Sequence, residues 1–184
     1  MPSGPGPIPE DLIARVASRI PPTVDSFLLT SKQDPNSVIA QHRRTRTSTI
    51  QLVDSFLLTD YKKLRAGLRG IRIVQVIHIR DDEAVKEATS VGPHVDALLL
   101  DSGNPSAAVK ELGGTGRTHD WDISLRIKNA VSVPVYLAGG LKPENIREAV
   151  SRVKPFGVDV CSGVRTNGML DETKLAAFFR NITA

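Results

Sequence analysis

Short apolar, β-branched runs alternate along the chain with amphipathic stretches, a pattern that predicts an α/β protein with a parallel sheet. The strand-like runs are Val24 to Thr30, Thr49 to Val53, Ile71 to Ile79, Val95 to Leu100, Val133 to Leu137 and Val158 to Cys161. Helical patterns lie at Ser37–Thr45, Tyr61–Leu68, Asp82–Thr89, Ile123–Ala130, Pro143–Val153 and Asp171–Phe179. Each strand–helix unit takes about 25 to 35 residues, the length that a crossover between parallel strands requires. A further helix precedes the first strand. Its apolar residues Leu12, Ile13, Val16, Ala17 and Ile20 recur with helical period. Pro9, Glu10 and Asp11 suit its first turn, and Pro21-Pro22 stops it.

Six strands, each followed by a helix, indicate a TIM (β/α)8-type barrel. A closed barrel of that kind has eight strands over ~250 residues, with ~200 near the minimum. The 184 residues are therefore expected to form one partial β/α-barrel domain over 1–184, N-terminally truncated, with about six of the eight βα units. The heptapeptide Val-Asp-Ser-Phe-Leu-Leu-Thr occurs twice, at Val24–Thr30 and at Val53–Thr59. The second copy begins where the strand Thr49–Val53 ends, so the repeat is out of phase with the elements and is read as coincidental.

Composition narrows the picture. A 40% hydrophobic content supports a real core, and 24% charged residues is ordinary for a globular chain. No window approaches the ~18 consecutive apolar residues of a membrane span, and the first residues lack the basic and apolar regions of a secretory signal. No membrane association is expected. The single cysteine, Cys161, excludes an intramolecular disulfide and a cysteine-based zinc cage, which favours a reducing, cytoplasmic setting. The cluster His42-Arg43-Arg44-Thr45-Arg46 lacks interleaved aromatics, so no nucleic acid is expected as partner. A net charge of +4 suits an anionic small molecule better.

Four places carry candidate chemistry, all just after predicted strands, where a parallel barrel gathers its active site. Asp101 ends the apolar run Leu98-Leu99-Leu100 and is either a general acid or base or a strand-end cap. Gly113, Gly114 and Gly116 precede Asp120-Trp121, as in a ligand loop followed by a capped helix. Gly139 and Gly140 stand between a strand and a helix start, suited to holding a phosphate on backbone amides. Asp159, Ser162 and Gly163 follow the last strand and can serve the same phosphate. His42, His78 and His94 have no metal-ligand spacing and read as structural or surface groups. His119 reads as a solvated loop residue, and Cys161 as a small residue in the last strand.

These runs, Leu98–Ser102, Gly113–Trp121, Leu137–Asn145 and Asp159–Val164, together resemble the N-(5′-phosphoribosyl)anthranilate isomerase family in order and spacing. The resemblance extends forward through Ile50-Gln51-Leu52 to Pro9-Glu10-Asp11. Its most specific piece is the Gly-Gly-Thr-Gly loop with its downstream Asp-Trp. Ribulose-phosphate epimerases and thiamine-phosphate synthases share the glycine pair but not this set.

The resemblance implies an Amadori rearrangement of a phosphoribosylated anthranilate in tryptophan biosynthesis, with no metal and no organic cofactor. Asp101 matches the family's general acid, Asp159 a polar residue contacting the sugar, and Gly139, Gly140, Ser162 and Gly163 the phosphate site. The glycines Gly113, Gly114 and Gly116 match a substrate loop. The family's general base is a cysteine in a Lys-Ile-Cys-Gly-type segment, and the sequence contains no such segment. Cys161 aligns with a family serine. A family arginine that holds the anthranilate carboxylate also has no counterpart. Val53-Asp54 replaces a His-Gly pair, and Arg165 stands where glutamate is common. Two outcomes are open: an active isomerase, or a remnant that binds a sugar phosphate without turning it over. Unpaired edge strands would leave such a chain either dimeric or poorly expressed.

Overall fold

A computed structural model describes residues 7–103 and 118–183. Six parallel strands run in sequence order: β1 (Phe27–Thr30), β2 (Thr49–Leu52), β3 (Arg72–His78), β4 (Ala97–Asp101), β5 (Val135–Leu137) and β6 (Gly157–Val158). Helices α1 (Glu10–Ala17), α2 (Pro35–Thr45), α3 (Leu58–Gly67) and α4 (Glu83–Val91) belong to the first half. Helices α5 (Trp121–Ala130), α6 (Ile146–Val153) and α7 (Glu172–Thr183) complete the order. A short antiparallel hairpin of β7 (Arg165–Thr166) and β8 (Met169–Leu170) precedes α7. Its Asn167-Gly168 turn has positive φ at both residues, the geometry that matches strand twist in a two-residue hairpin.

In β2, β3 and β4 the apolar runs are continuous because both faces of the sheet are covered there. Ile73, Ile77, Leu98, Leu100 and Leu137 face the helices, whereas Val74, Val76, Leu99 and Ala138 face inward, with Tyr136 against them. The sheet curls on itself: the rings of Phe27 on β1 and Tyr136 on β5 meet edge-to-face across the interior, 6.4 Å between centroids. The curl matches the expected barrel with six of its strands. β1 and β6 remain sheet edges. The apolar stripe of α1 lies beside this opening, where Leu12, Val16 and Ile20 line a cavity of about 970 Å³ together with Phe27, Leu29 and Leu99.

Local chemistry sets several boundaries. Asp34 caps α2 by accepting from the Ser37 N–H at 2.8 Å, and Pro35 occupies the first turn where its missing N–H costs nothing. The predicted last strand, Val158 to Cys161, is shorter than its apolar pattern suggests. The Asp159 N–H still donates to the Leu137 carbonyl at 2.8 Å, but the chain then turns at Cys161 into a 3-10 turn over Ser162–Val164. Cys161 is consequently exposed rather than part of a strand.

Candidate active site

The ends of β3 to β6 continue the ladder just far enough to bring four residues onto one inner ring. His78 and Asp101 are direct partners between β3 and β4. Ala138 donates its N–H to the Leu100 carbonyl at 2.8 Å, and the Asp159 amide bond extends β6 past Val158 in the same way. Because side chains alternate between faces, Asp101 shares the inner face of Ala97 and Leu99, and His78 that of Val74 and Val76.

Asp101 is 8% exposed, and its Oδ1 accepts from the Ser102 N–H at 2.7 Å. Burial raises its carboxyl above the usual range, against smaller downward pulls from the Ser102 amide and from His78. Asp159 is exposed and lines the large cavity. Its carboxyl is also raised, first by desolvation and then by the nearby charge of Asp101.

Gly139 forms the next wall. Its φ of +80° favours glycine, and a β-carbon there would stand 2.8 Å from the Ser102 nitrogen and 3.0 Å from Asp101 Oδ1. The backbone therefore passes directly against the acid. Gly140, also at positive φ, starts a turn that Asn145 pins: its Oδ1 accepts from Lys142 N–H at 2.9 Å and its Nδ2 donates to the Gly140 carbonyl at 3.0 Å. The loop after β6 docks on this turn. A β-carbon on Gly163 would lie 1.9 Å from the Leu141 carbonyl oxygen, so only glycine permits the approach.

Where the two loops meet, a cavity of about 280 Å³ is lined by Gly140, Lys142, Ser162, Gly163 and Lys174, among others. Two lysines against one carboxylate, that of Glu144, leave its lining net positive, which suits a phosphate-sized anion. Lys174 was not singled out in the sequence. It sits in the first turn of α7, where nothing in the local pattern separates it from a solvated lysine, and its Nζ also donates to the Arg165 carbonyl at 3.0 Å.

The structure thus brings Asp101, Gly139, Gly140, Asp159, Ser162 and Gly163 to one end of the sheet. Gly113, Gly114 and Gly116 lie outside the described residues. His78, expected to be structural or on the surface, is buried on the site's inner ring. His119 departs from its expected solvation: it is half-buried, its Nε2 lies 2.7 Å from Ser124 Oγ, and burial pushes it down to about 4, so it is neutral at pH 7. Among the described residues no cluster of His, Cys, Asp and Glu could hold a metal ion. No helix among them is long and apolar enough to cross a membrane.

Comparison with known proteins agrees with this geometry. The model of the N-(5′-phosphoribosyl)anthranilate (PRA) isomerase family matches residues 22–181. The chain belongs to that family. A PRA isomerase of Haloferax volcanii is 37% identical over 175 residues, covering 95% of this chain and 75% of the relative. One from Methanocella arvoryzae is 33% identical over 172 residues, covering 94% and 78%. The solved phosphoribosylanthranilate isomerase of Thermotoga maritima superposes with a TM-score of 0.79 at 25% identity, over 96% of this chain and 81% of that one. Within the PRA isomerase fold, the pinned glycine turn and the docked Ser162-Gly163 loop occupy the C-terminal end of the sheet, the face on which such barrels place their chemistry.

Proposed function

We propose that this chain catalyses the rearrangement of N-(5′-phosphoribosyl)anthranilate to the carboxyphenylamino-deoxyribulose phosphate, as a cytoplasmic enzyme of tryptophan biosynthesis. The observation that carries the reading is the contact between Gly139 and Asp101, which joins an acid to a phosphate-sized cavity. A substrate with its phosphate against Gly140, Ser162 and Gly163 would direct its ribose toward Asp101 and Asp159.

Asp101 acts as the general acid. Its proton passes to the ribose ring oxygen as the C1–oxygen bond breaks, which gives the open-chain iminium ion, its nitrogen still bearing hydrogen. Removal of the C2 proton then gives the enolamine, and tautomerisation yields the ketose; no atom is lost. Burial favours this assignment, because an acid must hold its proton until the substrate is bound. Asp159 contacts the sugar hydroxyls. Gly113, Gly114 and Gly116 belong to the same proposal through the sequence alone.

Substrate binding without turnover is the second reading, to which the cavity between the two glycine loops is equally suited. Following the loss of phosphoribosylanthranilate fluorescence separates the two. Turnover by the native chain that disappears in Asp101→Asn supports the isomerase, whereas tight binding without turnover supports the binder. A homodimer forms part of the proposal, supported by the exposed Leu12, Val16 and Leu29 beside the open edge of β1.

A further inference from the structure

The large cavity beside the two acids holds polar groups that a phosphate in the small cavity leaves unused. Leu29, Gln51 and Val74 stand in register on β1, β2 and β3. Val74 faces inward, so all three share the inner face of the sheet. Gln51 lines the cavity and is only 7% exposed. Among the described residues nothing hydrogen-bonds its side-chain amide. A buried amide without a partner is unfavourable, and one that borders a cavity marks a place for a ligand. Leu99, Tyr136 and Val158 make the neighbouring wall apolar.

Lys32 is the one basic residue in that lining. It follows β1 as Ser102 follows β4, so in a parallel sheet it stands at the same end as Asp101. Among the described residues no ion pair engages its ammonium group. Glu10 feels its charge, but two donors of Arg44 already hold that carboxylate, and Arg44 does more than Lys32 to lower it. Two further carboxyls line the cavity. Asp25 lies before β1, at the far end, where Arg72 and Ser48 donate to it. Asp159 belongs to the sugar's end of the cavity.

We propose that Lys32 is a specificity-determining residue: it holds the carboxylate of the substrate's aromatic end, which lies in this cavity against Gln51. This role rests on the isomerase reading and adds the group that recognises the second anion. The substrate carries phosphate at one end and an aromatic carboxylate at the other, with the sugar between. Only Val160 and Cys161 separate Asp159, in the large cavity, from Ser162, in the small one. With phosphate in the small cavity and the sugar at the acids, the aromatic end enters the large one. There the ring meets apolar side chains, the carboxylate meets Lys32, and the ortho N–H donates to the Gln51 amide oxygen. A lysine that merely kept the rim solvated would treat charged and uncharged aromatic molecules alike.

The test is calorimetric titration of the full chain with anthranilate and with aniline, which keeps the amine and lacks the carboxylate. Lys32 is exposed, so its variants are expected to fold. Lys32→Met should weaken anthranilate about tenfold and leave aniline within about twofold, while Lys32→Arg keeps most of the anthranilate affinity. Gln51→Leu should weaken both molecules by about threefold or more. Equal anthranilate affinity in Lys32→Met overturns the assignment, as does an equal loss for aniline, which reports packing rather than charge. Unchanged binding of both molecules by Gln51→Leu, or no anthranilate binding by the native chain, overturns it as well. None of these titrations needs turnover. A chain that binds anthranilate through Lys32 and does not isomerise defeats the isomerase reading alone, whereas turnover with an unaltered KM in Lys32→Met defeats the role of Lys32 alone.

Discussion

Gly163 and Leu141 meet backbone to backbone: a β-carbon at 163 would lie 1.9 Å from the Leu141 carbonyl oxygen. The atom it meets is main chain in a turn already pinned by Asn145, so it cannot swing aside. Gly163→Ala must therefore push apart the two loops that enclose the small cavity. We expect KM for the phosphorylated substrate to rise about tenfold or more, equivalent to roughly 1.4 kcal/mol, with kcat changed less. Steady-state kinetics with urea unfolding as a control checks this, and an unaltered KM would show that the loops do not hold the phosphate.

Asp101→Asn separates activity from stability. Loss of the acid is expected to lower kcat by about 10²–10⁴-fold. The folded-state carboxyl is raised above its unfolded value, so the native aspartate contributes stability while protonated and loses it as pH rises through the folded value. The neutral asparagine has no such loss. The variant should melt above the native chain at pH 8 and approach it as the pH falls into the acid range. Melting curves across that range, with equal differences at every pH, would contradict the burial-raised acid.

Lys174 contributes charge to the phosphate-sized cavity without belonging to either glycine loop. Lys174→Met keeps most of the stem and removes the ammonium. Affinity for inorganic phosphate should fall roughly three- to tenfold at low salt, with a smaller difference at high salt. Calorimetric titration at two ionic strengths provides the readout; equal affinities would assign Lys174 solely to the Arg165 carbonyl.

Tyr61 tests the fold away from the site. Its buried hydroxyl donates to Gln75 Oε1 at 2.8 Å, while Gln75 Nε2 bonds the Leu52 and Asp54 carbonyls near the end of β2. Tyr61→Phe leaves a buried acceptor unpaired and should destabilise the chain by about 1–3 kcal/mol in urea unfolding. Substrate KM should stay within twofold of native, since the hydroxyl lies on the helix side of the sheet.

The open edge of β1 and the exposed stripe of α1 bear on assembly. Sedimentation should show a concentration-dependent dimer, and Leu12→Glu combined with Val16→Glu should shift it to monomer. A native chain that stays monomeric at high concentration would remove the homodimer from the proposal.

Much of the fold could be read because parallel strands covered on both faces demand uninterrupted apolar runs, as at Leu98-Leu99-Leu100. Five of the six predicted strands appear with ends moved by one to three residues, β4 running on to Asp101, since periodicity does not mark where hydrogen bonding stops. The last is shortest, because Val160 and Cys161 look strand-like while the chain turns away to bring Gly163 against Leu141. The glycine turns were legible because glycine is required where backbone meets backbone. His78 was not: a histidine after an apolar run gives no sign of its partners.

The sequence alone determined the α/β alternation, the six strand–helix units, the glycine turns and the acid at the end of an apolar strand, because each follows from local period or local backbone freedom. Tertiary structure decided the remainder. The same heptapeptide forms β1 from Phe27 to Thr30 in its first copy, and in its second leads through Phe56 and Leu57 into α3 at Leu58. Pairing with β2 selects the strand in one place, and burial against the sheet permits the helix in the other. In the same way, only strand register sets His78 opposite Asp101, because that neighbourhood arises from hydrogen bonds between segments 23 residues apart rather than from either segment's own composition.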